Sequence, residues 1–203
     1  AGVISGTGGL AKTGSGTQTF TGNNTYTGNT TINAGVLELG DGGANGSLST
    51  SSAISIASGA IFEINQADTV IQGTDFSSAA ITGAGGFTQS GSGTTTLNAA
   101  NTYTGTTTVS GGTLEIAANG AVADGNIVVN NGGTYSLNTG SYNALYGKNI
   151  TINEGGTVST DSATNNAHNI DGVFTLNGGT LTSSGGTFGS GNWILNSDVT
   201  VGG

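Results

Sequence analysis

Residues Gly6–Leu39 read GTGGLAKTGSGTQTFTGNNTYTGNTTINAGVLEL, and 77 residues later Gly83–Ile116 read GAGGFTQSGSGTTTLNAANTYTGTTTVSGGTLEI. Aligned without a gap, 18 of the 34 positions are identical, and four others exchange one apolar side chain for another: Leu10/Phe87, Phe20/Leu97, Ile32/Val109 and Leu39/Ile116. A duplication of this length, rich in Gly, Thr and Asn, marks a chain that stacks similar units in one direction. Each unit leaves one apolar face uncovered, and only the next unit can cover it.

The rest of the chain repeats on a shorter period. Apolar residues alternate with polar ones in Thr31–Asn33, Val36–Leu39, Ile54–Ile56, Ile61–Ile64, Thr95–Asn98, Thr107–Val109 and Thr113–Ile116. They do so again in Ile127–Val129, Thr134–Leu137, Ile150–Ile152, Val173–Leu176 and Trp193–Leu195. Period-two alternation is the signature of a strand with one buried face. The segments beginning at Ile32, Ile54, Ile127, Ile150 and Phe174 each run apolar-x-apolar, then a small polar residue and Gly, then a second short strand. Their spacing of 23 to 24 residues (Ile127 to Ile150, Ile150 to Phe174, Ile32 to Ile56) predicts one solenoid rung per 20–25 residues. The fold class expected is all-β, a right-handed parallel β-helix of about nine rungs, roughly 40–45 Å long at about 4.8 Å per rung. Corner residues Asn33, Asn130, Asn153 and Asn177 are placed to form amide ladders. With 40 glycines and no proline, corners tolerate left-handed backbone and no ladder donor is lost. A sandwich would show hairpin spacing and a propeller a period of about 40–50 residues, and neither is present.

Composition narrows function by exclusion. Two lysines, Lys12 and Lys148, are the only basic side chains against eleven acids, for a net charge of −9. Binding nucleic acid or anionic lipid requires cations that this chain does not have. No cysteine is available for a disulfide, a thiolate metal site or a thiol nucleophile. No apolar run reaches the ~18 residues of a membrane-spanning helix. The expected organisation is one continuous solenoid segment over residues 1–203, a fragment of a longer repetitive protein.

The duplicated segments carry a resemblance. GGLAKTGSGTQTFTGNNTYTGNTTINAGVLELG at Gly8–Gly40 resembles the passenger-associated transport repeat of bacterial autotransporters, and GGFTQSGSGTTTLNAANTYTGTTTVSGGTLEI at Gly85–Ile116 is a second copy. Gly8, Gly9, Leu10, Lys12, Gly14, Gly16, Thr17, Asn24, Thr25, Tyr26, Thr27, Gly28, Gly35 and Leu37 fall on the family pattern. Copy two departs at Gln89, where the family has Lys, and at Ala99-Ala100, positions that alternation assigns to corners or the outer surface. The resemblance implies a secreted β-helix displayed on the bacterial surface and exported through an outer-membrane barrel encoded further along. It implies neither ligand nor reaction.

Because some β-helices are enzymes, the acids need weighing. Asp161 and Asp171, with the lone His168 nearby, form the best carboxylate cluster, and TDSATNNAHNIDG reads more simply as a solvated loop. Glu38 and Glu115 occupy one repeat position and read as solvated strand residues; Asp41 reads as an Asp-Gly corner. Tyr26 and Tyr103 read as packing residues, Trp193 as core or cap, and Tyr135, Tyr142 and Tyr146 with Lys148 as a weak contact patch. Thr-x-Thr runs, such as Thr25-Tyr26-Thr27, do not recur at every rung as an ice-binding array needs. No catalytic, cofactor-binding or metal-binding residue is assigned. The chain is expected to be a non-enzymatic stalk or adhesin, or else a subunit of an extracellular fibre or layer, with a polysaccharide-acting enzyme ranked lower. Its partners are a surface ligand or further copies of itself, and partner-specific chemistry is expected in Ala67–Ala80 and Thr139–Asp171.

Overall fold

A computed structural model describes residues 2–43, 46–117, 124–138, 145, 147–160, 168–183 and 193–202. Over these residues the chain is a parallel β-solenoid with about 23 residues per turn and no helix. Consequently no helix is long and apolar enough to cross a membrane.

The backbone of the rod is a nine-stranded sheet. Its strands, in stacking order, are Thr17–Phe20, Val36–Leu39, Ile61–Ile64, Gly86–Gln89, Thr107–Val109, Ile127–Val129, Ile150–Asn153, Phe174–Asn177 and Val199–Gly202. Each pairs in parallel with the strand one turn away. Because the register is unbroken, inward side chains form columns: Leu37, Phe62, Phe87, Thr107, Ile127, Ile150 and Phe174 lie one above another, all buried. Near the middle, Phe62 meets Phe76 and Phe87 edge-on, at ring-centre distances of 5.7 and 5.9 Å. Such contacts add about 0.5–1.5 kcal/mol each to the burial of the rings.

Two further sheets share the remaining circumference, one after the other. A four-stranded sheet, Leu10–Lys12, Thr30–Ile32, Ile54–Ile56 and Thr82–Gly83, accompanies the first turns and ends there. A six-stranded sheet begins with Val70–Ile71 and continues through Thr94–Leu97, Gly112–Ile116, Gly133–Leu137, Thr157–Thr160 and Thr180–Ser183. A two-stranded pair, His168–Ile170 with Trp193–Leu195, lies in the last turns.

The expected alignments of Ile32 with Ile56 and of Ile127, Ile150 and Phe174 are present in the register. The expected equivalence of the two groups is not. Ile32 and Ile54 belong to the four-stranded sheet, whereas Ile127, Ile150 and Phe174 belong to the nine-stranded one. The same apolar-x-apolar-corner-strand pattern serves whichever two neighbouring faces the chain has reached. The amide ladder forms at Asn130, Asn153 and Asn177: Asn153 Nδ2 donates to Asn130 Oδ1 at 2.8 Å and Asn177 Nδ2 to Asn153 Oδ1 at 3.2 Å. Asn33 is not part of it; the residue above Ile32 in its sheet is Ile56, followed by Ala57, which has no amide to offer.

Candidate functional site

The duplicated segment is the most elaborated local structure in the chain, and its defining side chains point inward. In Asn-Thr-Tyr-Thr-Gly the residues alternate in and out although they form no regular strand. Asn24, Tyr26 and Thr30 are buried in copy one, as are Asn101, Tyr103 and Thr107 in copy two, while Thr25, Thr27, Thr102 and Thr104 are exposed.

Each inward residue has a defined task. Asn24 Oδ1 accepts from the Ile4 N–H at 2.9 Å, and Asn101 Oδ1 from the Ile81 N–H at 2.8 Å, so each side chain holds the backbone twenty residues earlier. Asn101 also forms a double amide bond with Gln72: Gln72 Nε2 donates to Asn101 Oδ1 at 2.9 Å and Asn101 Nδ2 donates to Gln72 Oε1 at 3.1 Å. Gln72 Nε2 bonds the Ala79 carbonyl as well, and its Oε1 accepts from the Ala99 N–H. Ala67–Ala80 is therefore locked to the second repeat through this buried pair. A polar group taken out of water has to find such partners, since leaving one unmade costs about 1–3 kcal/mol.

The tyrosines repeat their geometry. Tyr26 Oη lies 2.6 Å from Thr30 Oγ1 and Tyr103 Oη lies 2.8 Å from Thr107 Oγ1, in both cases four residues on. This explains why a threonine can stand in the apolar column between Phe87 and Ile127: its hydroxyl is matched from within. Burial drives the Tyr103 hydroxyl far above its ordinary acidity range, with the Thr107 bond acting in the opposite direction. The glycine closing the motif is required by close approach: a Cβ on Gly105 would stand 2.3 Å from the Gly85 carbonyl oxygen.

Gln89 departs from its expected place at a corner or on the outer surface, and Lys12 holds the same repeat position. Both are inward-facing and buried. The Lys12 ammonium donates to the carbonyls of Thr13, Gly14 and Ala34 at 3.1, 2.8 and 2.9 Å. In copy two Gln89 Nε2 donates to the Gly91 carbonyl, which corresponds to that of Gly14, at 2.8 Å, and its Oε1 accepts from Thr95. An amide thus replaces an ammonium because the task is donation into a tight corner, and charge is not essential to it. Strand alternation assigned Gln89 to a corner or the outer surface because it follows apolarity, and here a polar residue takes the inner position.

The other singled-out residues have plainer settings. Glu38 and Glu63 face outward on adjacent rungs; Glu38 accepts from Thr19 and Asn65, and Glu63 from Ser90. Glu115 faces outward between Thr96 and Ser136. Asp41 Oδ1 caps its own corner through the Gly43 N–H at 3.2 Å. Asp171 Oδ1 accepts from the Gly147 N–H at 2.6 Å, Asp161 lies outside the described residues, and His168 is placed by its strand pairing with Trp193 alone. Trp193 is half-buried and donates to the Thr182 carbonyl. Of the expected contact patch, Tyr135 is fully buried and Lys148 is 5% exposed with its Nζ 3.8 Å from Asp124, while Tyr142 and Tyr146 lie outside the described residues. Burial lowers the affinity of Lys148 for its proton, while Asp124 acts in the other direction. Among the described residues, no three His, Cys, Asp or Glu side chains gather as metal ligands.

One column was missed in the sequence. Thr94, Thr113, Thr134, Thr157 and Thr180 stack outward in strict register on the six-stranded sheet. The hydroxyls are 19 to 23 residues apart, so unequal loops hide the column from any fixed-period search. The neighbouring outward column, Thr96, Glu115, Ser136, Ser159 and Thr182, is interrupted by a carboxylate and is not a uniform threonine array.

Comparison with known proteins adds one finding. Neither the curated proteins nor the solved structures contain a significant match to the chain. The family model of the passenger-associated transport repeat matches residues 10–39 and residues 87–116, which are the two segments whose inward network is described above. This chain carries two passenger-associated transport repeats, and both are built into its parallel β-solenoid.

Proposed function

We propose that this chain is a load-carrying, non-enzymatic stalk segment of a secreted bacterial protein displayed at the cell surface, holding more specialised parts away from the cell. The observation that supports this reading is the use to which the repeat is put. Its distinctive side chains are all spent on the rod itself: Asn24, Asn101 and Lys12 reach backbone one turn away, while Tyr26, Tyr103 and Gln89 satisfy polar groups inside their own turn. A solenoid stabilised turn by turn extends without limit by adding turns, which is what a stalk requires. Adhesion to a surface ligand or to further copies of the chain is the role of such a stalk at its tip or flanks. The test is to express the full-length protein with an epitope at the first rung and to treat intact cells with a broad-specificity protease. Loss of the epitope, with rods visible by electron microscopy of the released material, supports the reading; an epitope that stays protected in intact cells and is released only on lysis overturns it.

A further inference from the structure

The two repeats occupy different faces of the rod. In copy one, Leu10–Lys12 and Thr30–Ile32 lie in the four-stranded sheet, and Thr17–Phe20 and Val36–Leu39 in the nine-stranded sheet. In copy two the corresponding strands, Gly86–Gln89 and Thr107–Val109, lie in the nine-stranded sheet, and Thr94–Leu97 and Gly112–Ile116 in the six-stranded one. The second repeat has therefore moved round the rod by one face. The inward network is nonetheless the same in both copies: Asn to the backbone twenty residues back, Tyr to Thr four residues on, and residue 12 or 89 into the corner carbonyls.

We infer that the repeat is a turn-locking cassette that acts only through the interior, and that no partner in export recognises its exterior. A receptor reading an outer surface would need the recognised side chains at a fixed azimuth, and the two copies present theirs on different sides of the rod. The outward motif residues, Thr25, Thr27, Thr102 and Thr104, are held by their backbones alone: their N–H groups donate to the carbonyls of Ile4, Gly6, Ile81 and Gly83. Their side chains are free to vary without touching that pairing. What the two copies keep in common is thus the means of seating a new turn on the one before it. The cassette works on either pair of adjoining faces, and in copy two it also secures the turn where the four-stranded sheet gives way to the six-stranded one, through Gln72 and Asn101.

This inference rests on the surface-display reading, and its experiment separates the two. Full-length protein is compared in three forms: unaltered, an exterior variant (Thr25→Lys, Thr27→Lys, Thr102→Lys, Thr104→Lys), and an interior variant (Asn24→Ala, Asn101→Ala), with Tyr103→Phe as a milder interior change should that pair fail to fold. Surface display is read by protease shaving of intact cells, and stability by the urea midpoint of the released protein. The exterior variant is expected to match the unaltered protein in both measurements. The interior variants are expected to lose midpoint and to reach the surface severalfold less. An exterior variant with an unchanged midpoint but severalfold lower display overturns the inference, because something then reads the outside. If the unaltered protein is never at the surface, the display reading fails; the midpoints still decide the cassette, which is refuted if the exterior changes cost as much as the interior ones.

Discussion

Asn24→Ala and Asn101→Ala remove the same side chain from the same position of the repeat, and the structure predicts unequal damage. Alanine at 101 deletes two hydrogen bonds to Gln72 and one to the Ile81 N–H, all in the buried interior. The Gln72 amide keeps the Ala79 carbonyl and the Ala99 N–H, so its loss is the net value of two bonds, about 1 kcal/mol each. The Ile81 N–H has no such reserve, because Ile81 is fully buried, and an orphaned buried donor costs about 1–3 kcal/mol. The sum is about 3–5 kcal/mol. At position 24 the orphan is the N–H of Ile4, which is 38% exposed and can be solvated by water. Asn24 Nδ2 also gives up its bonds to the Gly22 and Ser47 carbonyls, each of which keeps a backbone donor, so the cost is the net value of the bonds lost, about 2–3 kcal/mol. With an m-value of about 3 kcal/mol/M, urea unfolding of Asn101→Ala should shift by about 1–1.7 M, and that of Asn24→Ala by less, about 0.7–1 M. Because a solenoid can unfold in parts, amide exchange at Ile81 supplies a local check: its protection should collapse in Asn101→Ala and persist in Asn24→Ala. Equal shifts for the two variants, or a shift below about 1 kcal/mol at 101, would refute the claim that burial of the clamped backbone sets the cost.

Tyr135 and Tyr103 offer an opposed pair. Among the described residues, Tyr135 Oη is buried without a hydrogen-bond partner, so Tyr135→Phe is expected to be neutral or stabilising, whereas Tyr103→Phe strips Thr107 of its partner and should cost about 1 kcal/mol in chemical unfolding. Alkali should unfold the chain. Burial raises the proton affinity of Tyr26, Tyr103 and Tyr135 above the ordinary value of 10.0, so the stability they contribute is complete below pH 10 and declines as pH rises further. Tyr103 and Tyr135 should each add about 1.4 kcal/mol per pH unit to that decline, while Lys148, shifted the other way, partly offsets it below its ordinary 10.5. A melting temperature that stays flat from pH 9 to pH 12 would contradict this. Gly105→Ala drives a methyl group against the Gly85 backbone, and its melting temperature should fall well below that of Gly132→Ala, where no atom lies within 4 Å and only the positive φ of 80° is strained.

The solenoid was legible in the sequence because its evidence is periodic: alternation places Leu37, Phe62, Ile127 and Ile150 inward, and the spacing of Ile127, Ile150 and Phe174 gives the rung. The change of face was not legible. It depends on how much chain each corner consumes, and the steps between stacked residues vary from 19 (Gln18 to Leu37) to 27 (Ser55 to Thr82). The inward roles of Lys12 and Gln89 were hidden for another reason. Polarity is a guide to exposure only until a tight corner offers carbonyls to a buried donor, and nothing in the one-dimensional pattern records that offer. The repeat itself supplied the missing signal: a side chain kept long and hydrogen-donating in both copies, at a strand end next to Gly-x-Gly.

The burial of both lysines has an outcome for proteolysis. Trypsin-like proteases cut after Lys or Arg, and the chain contains only Lys12 and Lys148 as such sites. Lys12 is 9% exposed and tied to three carbonyls; Lys148 is 5% exposed. Such a protease must draw the lysine side chain into its specificity pocket, and neither lysine can enter one while it stays buried in its turn. The folded rod therefore offers such enzymes nothing to cut, and digestion has to wait for a turn to open. Among secreted enzymes of this specificity, the lifetime of the segment is governed by its folding equilibrium rather than by its sequence.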